Sequence, residues 1–385
     1  MKLTSTASYI SSNTPILTKK GWKLAKNIRP GNILYDTKGH WTKVLHAERA
    51  SKKKLCYKVT FADNSFIEGT SKLELCHLNQ INTKARIEHN YKLNKLKTEA
   101  KLRMFSERIP YNVALDWKAY DYIKKLEFKN YITLHDLKER FSYTDYNCLN
   151  HHCPSVLAEP YHDKPMTIHP YLLGIWLVNG NRQSTILNIK KQRIFEKLDK
   201  LGYQLTLKEY TQYRVLGVRP YLRKMKLFEQ THIPYAYKYG SYKTRLQIIE
   251  AFTDGIAKGG AFSKEIPLVD PVIVKDFREM LFTMNVPIKT YSFTPEPYKD
   301  RIYRERHVTR FSLRDLEEFY DERDLEKYKI RQNVKRWAKI TSCNKSNTHN
   351  KFVGIVVSSN EHGFLVGTSL IPVKDNFFNI NKRTI

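Results

Sequence analysis

The chain has 385 residues, enough for two or three domains with separate cores. Lys and Arg total 67 against 38 Asp and Glu, a formal charge of +29, and 12% of residues are aromatic. Such aromatic content excludes a disordered chain, and the charge points to an anionic partner, nucleic acid first and an acidic membrane surface second. The longest apolar stretch, residues 172–178, is far short of the ~20 needed to span a bilayer. The first residues lack the apolar core of a signal peptide. Five widely spread cysteines argue against a disulfide framework and for a reducing compartment. The expectation is a soluble, intracellular protein with no membrane element.

Residues 1–79 alternate in the manner of strands, and short runs at 44–46, 55–61 and 65–68 predict a compact all-β unit. Residues 80–165 are a basic insertion with Lys92, Lys95, Lys97, Lys101 and Arg103 close together. Its end, TLHDLKERFSYTDYNCLNHHC, offers Thr133 as one helix cap, Ser142-Tyr143-Thr144 as a turn and Asp145 as a second cap. That pattern fits a DNA-reading helix-turn-helix or two ordinary short helices, and the motif is too short to choose. Cys148, His151, His152 and Cys153 are of zinc-ligand type, yet no second Cys pair with suitable spacing accompanies them. Incidental burial is the commoner reading.

Residues 166–330 read as a weak repeat, 166–240 and 241–330. The first half runs from helical YLLGIWLVNG through extended STILNI and helical QRIFEKLDKLG to strands YQLTLKEY and YRVLGV. The second runs from helical TRLQIIEAFTDG through helical PVIVKDFREMLFTMN to strands IKTYSFT and HVTRFSL. Residues 331–385 return to β character after a basic cluster of Lys335, Arg336 and Lys339.

Three stretches give this order a family likeness. TPILTKKGWKLAKNIRPGNILYDTKGHWTKV (14–44) resembles the first block of a Hint, or intein splicing, domain. TFADNSFIEGTSKL (60–73) resembles its second block, and FVGIVVSSNEHGFLVGTSLIPVKDN (352–376) its closing blocks. With the two repeats between them, the chain resembles an intein-borne LAGLIDADG homing endonuclease. The resemblance implies an α+β fold, in which both chain ends form a Hint-like all-β domain. A pseudo-twofold αββαββα saddle is inserted between them.

Its chemical positions depart from the family pattern. Splicing needs a Cys or Ser nucleophile at the first intein residue, and that position is Tyr9. The second block keeps Thr70 but has Leu73 in place of its His, and the end reads Asp375-Asn376-Phe377, with Asp in place of the penultimate His and Phe as the next residue. Splicing is therefore expected to be lost. In the endonuclease two axial helices each end in an acid, and the pair holds divalent metals, typically Mg2+. The first motif, residues 172–180, puts Asn179 at its acid position. For the second, an ungapped register puts Ile256 there and Asp254 at a non-catalytic place. Sliding by two residues makes Asp254-Gly255 the acid pair. The ungapped register also fits Ala251 and Phe252. A supporting Lys position holds Thr231, with Lys224 and Lys226 nearby. Cleavage is expected to be lost or weakened, with Asn179 and Asp254 as metal ligands and Mg2+ as cofactor only where it is retained.

By the same resemblance, a DNA-tracking surface would carry Arg182, Gln183, Thr185 and Asn188 from the first repeat. From the second it would carry Lys289, Tyr291, Arg301, Arg304, Arg306 and Arg310. Arg and Gln reach base edges there while Lys neutralises phosphates. The leading expectation is a monomeric, site-specific binder of double-stranded DNA, with RNA open as a second ligand class. An active endonuclease or nickase is the alternative, and a protein-interaction module without nucleic acid is the third.

Overall fold

The computed structural model describes residues 8–50, 55–77, 131–142, 152–156, 166–260, 263–296, 304–313, 316, 336–346 and 351–375. The chain divides into two compact units, one formed by Met1–Glu159 with Glu318–Ile385 and the other by Pro160–Glu317.

The first unit begins with strands β1 (Ile10–Ser11), β2 (Pro15–Thr18), β3 (Gly21–Leu24), β4 (Ile33–Tyr35), β5 (Trp41–Ala50), β6 (Cys56–Phe61), β7 (Phe66–Thr70) and β8 (Glu74–Cys76). It continues with β9 (Tyr131–Thr133), helix α1 (Leu134–Ser142) and β10 (His152–Ser155). The second unit holds α2 (Pro170–Asn179), β11 (Ile186–Asn188), α3 (Gln192–Lys200), β12 (Leu205–Glu209), β13 (Gln212–Val215), α4 (Arg219–Lys224) and α5 (Tyr235–Lys238). Then come α6 (Tyr242–Ile256), β14 (Ser263–Leu268), α7 (Pro271–Thr283), β15 (Lys289–Phe293) and β16 (Arg306–Ser312). The chain re-enters the first unit as β17 (Arg336–Ser346), β18 (Phe352–Val357), β19 (Gly363–Val366) and β20 (Ile371–Lys374).

The two ends of the chain interlock in the first unit. β1 is flanked by a C-terminal strand and an N-terminal one, with Ile10 opposite both Val353 and Gly69. β17 pairs with β6, β18 with β5, and β20 with β8 through Val373 and Leu75. All six residues of β18 are buried, as its unbroken FVGIVV run requires of a strand covered on both faces. The turn between β6 and β7 is set by Asp63, whose Oδ1 accepts from Ser65 N, with Asn64 at φ +64°. One core joins Ile10, Val59, Leu75, Val357 and Val373 to Leu134 and Leu137 of α1.

That last contact fixes the first helix of the expected helix-turn-helix on the β unit. Thr133 does cap α1, its hydroxyl accepting from Asp136 N at 3.1 Å. But the helix buries its apolar face in the β unit, and Cys343 of β17 donates to the Leu134 carbonyl. Most of the expected second helix lies outside the described residues, and His152–Ser155 is a strand on β17, from His152 opposite Lys339 to Ser155 opposite Arg336.

In the second unit, α2 is buried from Pro170 to Leu177, the mark of a helix packed on every side. It crosses α6 at a contact only glycine allows, because a Cβ on Gly174 would lie 2.5 Å from the Ala251 Cβ. Each half then adds one strand, one helix and two strands, giving sheets in the orders β11-β13-β12 and β14-β16-β15. The observed order, helix-strand-helix-strand-strand, corrects the αββ unit implied by resemblance. β14 was missing from the sequence reading of the second half. Its Pro267 is tolerated because β14 lies at the sheet edge.

Candidate functional site

The axial helices define the pairing of the two halves. Gly174 abuts Ala251, and a Cβ on Gly255 would meet Val178 Cγ2 at 2.6 Å, so both contacts link positions 77 apart (174 to 251, 178 to 255). The helix ends repeat the offset, with Gly180 N donating to Trp176 O and Ala257 N to Thr253 O. This is the ungapped register. Asn179 is therefore the counterpart of Ile256, the last residues of their helices. Asp254, the acid of the slid register, is instead the counterpart of Leu177.

Asp254 is engaged elsewhere. Its carboxylate accepts from the Tyr171 hydroxyl at 2.8 Å and pairs with the Arg193 guanidinium at 2.8 Å. Burial, then the hydrogen bond to Asp254, pushes the Tyr171 phenol far above its ordinary range. Asn179 donates from Nδ2 to Asn188 O at 3.0 Å. Its Oδ1 is buried without a hydrogen-bond partner and packs on Gly255. One neutral carbonyl, a hydrocarbon and an ion-paired carboxylate do not fit a two-metal Mg2+ centre, which needs several anionic oxygens. Among the described residues no group of three or more His, Cys, Asp or Glu is arranged to hold a metal. Thr231, at the supporting Lys position, is buried. Lys224 and Lys226 are exposed, and Lys224 joins Arg219, Pro220 and Arg223 around an open depression of about 420 Å³.

Residues paired directly across antiparallel strands share a face, so the registers sort each sheet into a helix-covered side and an open side. In the first sheet Leu187, Tyr213 and Leu207 share one face, and the Tyr213 ring meets Phe195 of α3 at 5.5 Å. The other face carries Asn188 opposite Gln212, and Ile186, Arg214 and Thr206 in a row. In the second sheet Thr309 lies on the side of α7, where Arg278 Nε donates to its hydroxyl at 3.0 Å. The opposite side brings together Lys289, Arg310 and Glu265, then Tyr291 with Val308, then Phe293 with Arg306.

Four expected contact residues, Lys289, Tyr291, Arg306 and Arg310, thus share one face. Asn188 is exposed on the open face of the other sheet, its Oδ1 accepting from Thr211 Oγ1 at 2.8 Å. Gln183 is exposed in the turn after α2, and Arg304 is exposed just before β16. Arg301 lies outside the described residues. One expectation, the surface placement of Thr185, needs correction. Thr185 is buried, and its carbonyl accepts from Val215 N. Arg182 is held 3.0 Å from Asp270, the cap of α7. The open face that holds Asn188 also carries Thr206, Gln212 and Arg214, which the sequence reading did not name. The alternation of QYRV was their signal, because Arg214 falls on the side opposite Tyr213.

In the first unit, Tyr9 is buried and Thr70 brackets its backbone. Tyr9 N donates to Thr70 Oγ1 at 3.1 Å, and Thr70 N donates to Tyr9 O at 2.9 Å. The Tyr9 hydroxyl donates to Glu48 at 2.7 Å. Leu73, where an imidazole would stand, is a fully buried hydrocarbon. Asp375 is buried, accepts from Val357 N at 3.1 Å and lies 3.9 Å from His362 Nδ1. Asn376 and Phe377 lie outside the described residues, as do Cys148 and His151. Cys153 is fully buried, and burial raises its thiol well above the ordinary value.

No protein-family profile matches the chain, and no curated protein does. Solved structures similar to it include inteins and a homing endonuclease. The MchDnaB-1 and gp41-1 inteins are each 25% identical, with a TM-score of 0.17, over 18% of this chain and 52% of theirs. The chain thus spans about half the length of the inteins it matches. A variant of the homing endonuclease I-DmoI, in complex with its target DNA, is 13% identical with a TM-score of 0.28. That match covers 39% of this chain and 90% of the endonuclease.

Proposed function

We propose that the chain is a site-specific binder of double-stranded DNA, built on an intein-borne LAGLIDADG scaffold whose splicing and cleavage chemistry is gone. The observation that carries this reading is a contrast within one unit. Lys289, Tyr291, Arg306 and Arg310 share an open sheet face, whereas the axial helices end in Asn179 and Ile256. Guanidinium and amide groups on such a face reach base edges, and lysines neutralise phosphates. An isoleucine neither ligates Mg2+ nor takes a proton from water, so binding proceeds without metal and without strand scission. Splicing fails for equally local reasons. A buried phenol is a weak nucleophile at neutral pH, and Leu73 offers no proton relay. The protein acts as an intracellular monomer, its two halves supplying the symmetry that other binders gain by dimerising.

Retention of a mixed-sequence duplex over a salt series tests the reading. Replacing Lys289, Arg306 and Arg310 together by Ala should lower the slope of log K against log salt by about 2 to 3. An unchanged slope would remove this face from the interface.

A further inference from the structure

Among the described residues Tyr210 is the most exposed large apolar or aromatic side chain, at 88% of its full accessibility. It forms the tip of the β12–β13 hairpin with Thr211, because Glu209 is paired with Gln212. Tyr210 has φ +44°, and Thr211 is not in the positive-φ region. A two-residue hairpin loop with positive φ at its first position favours glycine there, and a bulky residue is an outlier. Nothing nearby offsets the strain. The phenol makes no hydrogen bond or ring contact among the described residues.

The tip is nonetheless held firmly. Thr211 Oγ1 donates to Asn188 Oδ1 at 2.8 Å, and Ile189 N donates to Thr211 O at 2.8 Å. Asn188 O in turn accepts from Asn179 Nδ2, which ties the hairpin to the end of α2. Exposed Lys208 lies in β12 and exposed Lys190 two residues past the end of β11, the two strands that neighbour β13 in the sheet. Folding stability alone would favour glycine at this tip, and strained backbone on a fixed support is characteristic of binding sites.

We infer that Tyr210 is a base-stacking residue, a rigidly presented ring that wedges against a base step of the duplex while Lys190 and Lys208 hold the adjoining phosphates. The inference rests on the DNA-binding reading above. It assigns the hairpin tip a part in recognition that neither the axial helix ends nor the open faces supply.

The test uses the full chain and a mixed-sequence DNA duplex carrying 2-aminopurine, at low salt without Mg2+. Wild type and Tyr210→Phe should bind alike and change the 2-aminopurine emission. Tyr210→Gly and Tyr210→Ala should bind about tenfold more weakly and leave the emission unchanged. Tyr210→Gly should also melt above wild type, because glycine relieves the φ strain. Wild-type affinity and emission change in the glycine variant would overturn the stacking role and leave the DNA reading standing. A glycine variant melting below wild type would make Tyr210 a structural residue and overturn the role too. Failure of wild type to bind any duplex would remove both.

Discussion

At position 256 a branched hydrocarbon stands where the pairing of the axial helices sets the counterpart of Asn179. The consequence can be measured on the residues themselves. Wild-type melting should not respond to Mg2+, whereas Asn179→Asp with Ile256→Asp brings two carboxylates to the axis. That double variant should melt below wild type in chelator, through like-charge repulsion, and recover as Mg2+ is added. Asp254 tests the same pairing from the other side. Asp254→Ala leaves the Tyr171 hydroxyl and Arg193 without their acceptor, and should lower stability by about 1–3 kcal/mol in urea unfolding. A loss near zero would mean the carboxylate is not the anchor its contacts suggest. At this scale the sequence left two registers open, because Asp254-Gly255 mimics an acid pair two residues early. What separates them is the Gly174–Ala251 approach, a contact between residues 77 positions apart (174 to 251). Thr185 was misplaced for a related reason. In a strand as short as β11 a shift of one residue exchanges the open face for the covered one.

At the scale of elements, the crossing of α2 and α6 depends on the missing side chain at Gly174. Gly174→Ala should cost about 1–3 kcal/mol, since the new methyl has no room unless the helices separate. The start of α2 carries a pH dependence. His169 caps the helix by accepting from Tyr171 N at 3.2 Å. Its imidazole is held below the ordinary value of 6.5 by burial, then by Lys197 and Lys243. The folded chain therefore binds this proton less tightly than the unfolded one, so the contribution is full above about pH 6.5 and is lost as pH falls through the lower folded value. Unfolding midpoints of wild type should fall more steeply on acidification than those of His169→Asn, which caps without titrating. Parallel curves would contradict this. Local signals were easy to read in these elements. Thr133 was recognised as a cap, and the apolar run of β18 as a strand. Their surroundings were not, because α1 rests on β17, some 200 residues later in the chain. The Pro in β14 concealed a strand that only its edge position permits.

For the whole molecule, the interlocking of β17, β18 and β20 with β6, β5 and β8 makes the first unit depend on both chain ends. A chain ending before β17 would expose the apolar partners of three strands. It should therefore be recovered insoluble or without the cooperative unfolding of the full chain. The formal charge of +29 gives any nucleic-acid complex a steep salt dependence, whatever its sequence preference. Charge alone does not separate a binder from a nuclease. The central claim, specific DNA binding with the chemistry gone, is tested most directly by selecting duplexes from a random and genomic pool with Mg2+ present. Recovered fragments are then sequenced and both their strands examined for breaks. Enrichment of one extended site with both strands intact is the predicted result. The same site carrying a reproducible nick or double-strand break would contradict the account and restore an active endonuclease.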